Sequence, residues 1–142
     1  MYVDKQCTLD SERVVETTNG ASVYSEFAYD MGSTKDPGGG GVLYIVVCVD
    51  DAFASASSDA TVVIAVVDDA NNGIDSSSIP IVQTDALVVT RLPLGKVIVI
   101  PVPYGLITQQ FIGMKYTVGV DTTTAGQFTT FIALDALTNP GS

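Results

Sequence analysis

From Phe111 to Leu134 the chain reads FIGMKYTVGVDTTTAGQFTTFIAL, and apolar side chains fall at every second position of its first half. Ile112, Met114, Tyr116, Val118 and Val120 alternate with Gly113, Lys115, Thr117 and Gly119. A period of two gathers side chains on one face only in an extended strand. Asp121 to Gln127 supplies Thr, Gly and Gln, types expected in a turn rather than a core, and Gly126 permits a positive φ. FTTFIAL then returns with β-branched and aromatic residues, so the segment predicts a strand, a Thr-rich turn and a second strand paired as a hairpin.

The same punctuation recurs upstream. An extended arm is expected near Tyr2 to Leu9. Strands are expected near Ala21 to Tyr29, Val42 to Asp50, Ala60 to Val67, Leu87 to Thr90 and Val97 to Val102, then Phe111 to Val120 and Phe128 to Leu134. No window places apolar residues three and four apart with polar ones between, so no helix competes. Gly73 to Gln83 reads as a loop because of Pro80 and its serines. About eight strands without crossover helices predict an all-β, antiparallel sandwich, barrel or jelly roll in one domain spanning 1–142, with 1–20 as arm and leading loop.

The strands differ in kind. Val42 to Val49 and Val62 to Val67 are almost continuously apolar, which calls for cover on both faces or a partner on the outer one. Val97 to Pro103, VIVIPVP, contains two prolines that cannot donate to a ladder, so its end belongs at a sheet edge or outside the sheet.

Composition narrows the function. The 142 residues are 46% hydrophobic, which sets the chain apart from disordered sequences despite a formal charge of −10. The longest apolar run, eight residues, is far below the ~20 of a spanning helix, and the N-terminus shows no secretory pattern. Six basic residues scattered among sixteen acidic ones argue against nucleic-acid binding. Cys48 is expected to be a small buried hydrophobe, and Cys7 lies on a polar segment.

Candidate chemistry is sparse. DPGGGG, Asp36 to Gly41, lacks the Lys-Ser/Thr of a phosphate cradle. DDANNGID, Asp68 to Asp75, has a glycine at the sixth position of a calcium loop but Ala70 at the third and Ile79 at the twelfth, so an Asn72-Gly73 turn is the better reading. Histidine is absent, which removes the usual general base. Asp50-Asp51 and Asp68-Asp69 are neighbours expected at strand ends, mostly solvated and pointing to opposite faces. No enzyme, metal or cofactor is expected.

The order of MYVDKQCTLDS, RLPLGKVIVIPVP and QFIGMKYTVGVDTTTAGQFTTFIALD resembles the capsid cement proteins of short-tailed phages related to the Bordetella phage cement protein. The likeness is greatest from Leu87 to Leu134, where a YTV-type strand precedes a T-x-TAG-x-FT turn. SEFAYDMG and the Gly38 to Gly41 run depart from the pattern. The resemblance implies a jelly roll on the outer surface of the virion capsid, made in the host cytoplasm, that bridges neighbouring major capsid protein subunits, as a homodimer. On this reading Tyr2, Val3, Pro101, Pro103, Tyr104 and Phe111 are the expected apolar contact residues. The competing expectation is a glycan-binding or host-recognition module of a tail or fibre. The lack of tryptophan counts against it.

Overall fold

A computed structural model describes residues 8–30, 42–103 and 106–133. Ten strands follow in chain order: β1 Thr8–Val14, β2 Ser22–Tyr24, β3 Tyr29–Asp30, β4 Val42–Ser55, β5 Thr61–Asp69, β6 Ile79–Gln83, β7 Leu87–Val88, β8 Val97–Pro103, β9 Phe111–Gly119 and β10 Thr123–Ala133. One sheet has the order β1-β10-β4-β8; the other runs β2-β9-β5-β6, with β3 also on β9 and β7 also on β5. Every pairing is antiparallel.

The topology follows from nested pairing. Counting β2 with β3 and β6 with β7 as interrupted strands leaves eight, of which the first pairs with the last, the second with the seventh, the third with the sixth and the fourth with the fifth. Rolling that ribbon brings β10 beside β4 and β9 beside β5, and the product is a jelly roll. Among the described residues no helix is long and apolar enough to cross a membrane.

The core lies between the sheets. Leu43, Ile45, Val47 and Val49 on β4 face Val62, Ile64 and Val66 on β5 and Ile112, Met114, Tyr116 and Val118 on β9. The alternation of β9 therefore holds residue for residue up to Val118. Phe53, Phe128 and Tyr116 form a continuous aromatic stack across both sheets, with ring centroids 4.6 Å and 4.9 Å apart. Such tilted pairs add a favourable term beyond the area they bury.

Several expectations need correction. The final hairpin does not exist: β9 and β10 belong to opposite sheets, and the chain passes between them at Gly119 to Thr122. There the Asp121 N–H donates to the Gly119 carbonyl at 2.8 Å across Val120, whose φ is 71°, a three-residue turn. The TAG residues lie inside β10, and Thr123 is buried, its hydroxyl donating to the Val15 carbonyl at 2.9 Å. Thr and Gly here serve as interior residues because the strand is bulged and presses close to Phe53.

The leading loop within 1–20 contains β1, a polar edge strand with two register shifts that blur its alternation. Gly73 to Gln83 contains β6, where Pro80 is tolerated because the strand is at an edge. Of Leu87 to Thr90, only Leu87 and Val88 are strand before a 3-10 turn at Val89–Arg91. β4 runs on past Asp50 to Ser55.

Candidate interaction surface and the groups around it

β8 closes one edge of the four-stranded sheet. Pro93 to Lys96 forms the turn into it, with the Lys96 N–H donating to the Pro93 carbonyl at 3.1 Å. Gly95, at φ +89°, donates its N–H to the Val49 carbonyl at 3.0 Å, while the Val49 N–H donates to the Lys96 carbonyl at 2.9 Å. This is a glycine-started bulge, two residues opposite one. Alternation from that pair directs the main-chain groups of Ile98, Ile100 and Val102 to β4 and those of Val97, Val99, Pro101 and Pro103 to the free edge.

The two prolines therefore occupy positions where an N–H would face outward. Half of the edge has no donor to offer an incoming strand, a recognised way to block sheet-to-sheet aggregation. Replacing both, Pro101→Val with Pro103→Val, is expected to raise self-association, read by sedimentation velocity at increasing concentration. An unchanged monomer-to-oligomer distribution would show that the prolines do not guard the edge.

The side chains of the same four residues point away from the core. Ile100 and Val102 are buried, whereas Pro101 and Pro103 are exposed and Val97 and Val99 are 51% and 41% exposed. Across the ladder, Cys48, Val46 and Tyr44 lie opposite Val97, Val99 and Pro101, and Thr129, Phe131 and Ala133 of β10 continue the rows, but Val46 and Phe131 are buried, so the exposed part of this face is β8. From the Cys48 row to the Tyr44 row these three strands turn no charged side chain outward, on a chain of net charge −10. Leu94 and Leu106, both exposed, flank β8 at its two ends.

Cys48 belongs to this outer face and is half-buried, which corrects its expected place in the core. The run from Val42 to Val49 is apolar because both its faces are, and periodicity alone does not tell the two apart. Burial, and then the charge of Asp50, push its thiol pKa up, so it is a poor nucleophile.

Of the other expected contact residues, Phe111 is on the opposite sheet. It is half-buried, pairs with Asp69 and Asp30, and is not brought together with Pro101 and Pro103. Tyr2, Val3 and Tyr104 lie outside the described residues, as do Cys7 and the DPGGGG run. Sequence reasoning missed Val97 and Val99. The signal was present in VIVIPVP: residues two and four before an edge proline share its parity.

The outer face of the six-stranded sheet is covered by its own chain at the Gly113 end. Ile74 lies so near Gly113 that a Cβ there would sit 2.3 Å from it, and Val67 is buried. Asp68 and Asp69 are both buried rather than solvated, a second correction, because this segment covers the end of β5. Asp68 accepts from the Thr108 N–H at 2.9 Å, and Asp69 from the Ser78 hydroxyl and the Asn71 N–H at 2.6 Å and 3.0 Å. Those donors, Ser78 first, hold the Asp69 carboxyl below its ordinary pKa. The two carboxylates take separate partners and form no catalytic pair. Among the described residues no group of three or more acidic or cysteine side chains converges on one point.

A buried polar cluster joins the sheets at the other edge. The Tyr116 hydroxyl is 2.7 Å from Asp10 Oδ2 and 2.7 Å from Thr130 Oγ1, and the Glu26 N–H donates to Asp10 Oδ1 at 2.8 Å. Asp10, Tyr116 and Thr130 are all fully buried.

Comparison with known proteins gives one family and one distant likeness. The family model Bbp16 matches residues 15–132. No curated protein matches the chain by sequence. Among solved structures, a chain from the structure of infectious bursal disease virus Gx strain is similar at 11% identity and a TM-score of 0.45, with 94% of this chain and 32% of that chain covered. The chain thus spans about a third of that viral protein.

Proposed function

Because the chain belongs to the Bbp16 family, named for a Bordetella phage protein, we propose that it is a bacteriophage virion structural protein that acts as a capsid cement. It binds the outside of the icosahedral head as a single jelly-roll domain and bridges neighbouring major capsid protein subunits, in paired copies. What supports this reading most is the exposed, uncharged strip that Val97, Val99, Pro101 and Pro103 of β8 present on an otherwise acidic molecule. Desolvating that strip against another protein buries apolar area without stripping water from a charge.

Bridging stabilises a shell by adding contacts that must break before subunits separate. Many copies act together, so modest affinity at each site suffices. No step of this function needs a bond to be made or broken, and a scaffold without histidine fits it.

The test is cosedimentation with heads stripped of the protein. Val97→Asp with Val99→Asp places two charges on exposed positions, so the isolated fold is expected to persist by circular dichroism. Binding should fall at least tenfold, since each desolvated unpaired charge costs more than about 1.4 kcal/mol. Wild-type binding by the double variant would remove this face from the contact. Failure of the wild type to bind, together with hits on a glycan array, would favour the host-recognition module.

A further inference from the structure

β1 is held by a weak ladder. Its pairing with β10 shifts register on both sides of Asp10, and Glu12 adopts a φ of 51°. Besides the Arg13 bond to β2, it is fastened by the side chain of Asp10, which reaches across the sandwich edge to elements that β1 does not pair with. The carboxylate takes the Tyr116 hydroxyl of β9, itself bonded to Thr130 of β10, and the Glu26 N–H of the β2–β3 connection. That connection is tied back by the Phe27 N–H donating to the Leu9 carbonyl at 3.0 Å.

All of these donors are neutral. The charged groups near Asp10 are Arg13 on its own strand and Glu26 on the connection; β9 contributes only Tyr116 and β10 only Thr130. Arg13 directs its Nε–H to the Tyr24 carbonyl at 3.1 Å rather than to Asp10. Among the described residues the carboxylate is therefore a buried charge without an ion-pair partner, which is unfavourable in the low-dielectric interior.

We propose that Asp10 is a proton-controlled clasp for the edge strand β1, holding β1 and the Ser25 to Phe27 segment firmly when uncharged and less firmly when ionised. Protonation keeps the contacts, because Oδ1 of the acid still accepts from the Glu26 N–H while its Oδ2 hydroxyl donates to the Tyr116 oxygen, whose own hydroxyl turns to Thr130, and it removes the desolvated charge. Burial raises the Asp10 pKa to about 6 against the hydrogen bonds from Tyr116 and Glu26, which lower it. A raised value means that the clasp is fully closed below the ordinary carboxylate pKa and is weakened as pH rises through about 6.

The experiment is amide hydrogen exchange of Arg13, Glu26 and Phe27 at pH 5 and pH 7.5, corrected for the intrinsic rate at each pH. Opening of this edge is expected to increase about tenfold between the two. Asp10→Asn should show no such change. Tyr116→Phe, which removes a hydrogen bond to the ionised form, should move the midpoint to higher pH and keeps the test open if the Asn variant does not fold. Equal opening at both pH values in the wild type, or a midpoint unmoved in Tyr116→Phe, would overturn the clasp.

Discussion

Gly126→Val is expected to abolish stable folding. Gly126 has φ +147°, a region that side-chain-bearing residues rarely adopt, and a Cβ there would stand 2.4 Å from the Phe53 ring. Two costs therefore combine, backbone strain and a collision with an aromatic ring that is itself held against Phe128. The ring does not retreat easily, since Phe53 is buried and its N–H donates to the Leu92 carbonyl at 3.1 Å. A loss of about 3–5 kcal/mol would consume much of the stability of an ordinary domain. Thermal unfolding followed by circular dichroism reads it, and a melting temperature within about 2 °C of wild type would refute the strain.

Phe128→Ala is the second large effect. Phe128 is fully buried at the middle of the Phe53–Phe128–Tyr116 stack, so its removal leaves a cavity bounded by two rings from different strands. Truncating a buried phenylalanine costs about 3–5 kcal/mol, and loss of two tilted ring pairs places this site toward the upper end. The Tyr116 hydroxyl remains anchored by Asp10 and Thr130, which limits the collapse of neighbours into the gap. Urea denaturation checks it: a change below about 1 kcal/mol would mean that the stack repacks freely.

Gly126 also shows how far the chain could be read without its fold. Period-two alternation identified β9 correctly, because one face of β9 packs on the core and its inward residues alternate without a break. The same logic supplied the all-β class. It misplaced the partner of β9, since two strands joined by a short polar link look alike whether they share a sheet or cross between sheets. Thr123 and Gly126 looked like turn chemistry, yet they line the interior where a small side chain or a hydroxyl partner is required.

Continuous apolar runs concealed more. In Val42 to Val49 both faces are apolar, so Cys48 and Val46 could not be assigned to the core or the outer face from the pattern. Asp10 was invisible for the opposite reason. An aspartate in a polar stretch gives no hint that its carboxylate meets a tyrosine more than a hundred residues away. Pro101 and Pro103 did signal an edge, and the ladder explains why: their missing N–H groups are those that face outward.

The most direct measurement is a reconstruction of the phage head at near-atomic resolution, with copies of this chain counted and oriented. Hundreds of jelly rolls on the outer surface, each seated across a boundary between major capsid protein subunits with Val97, Val99 and Pro101 against the shell, are expected. A low fixed copy number in the tail, or copies whose β8 edge is turned to solvent, would contradict the cement function.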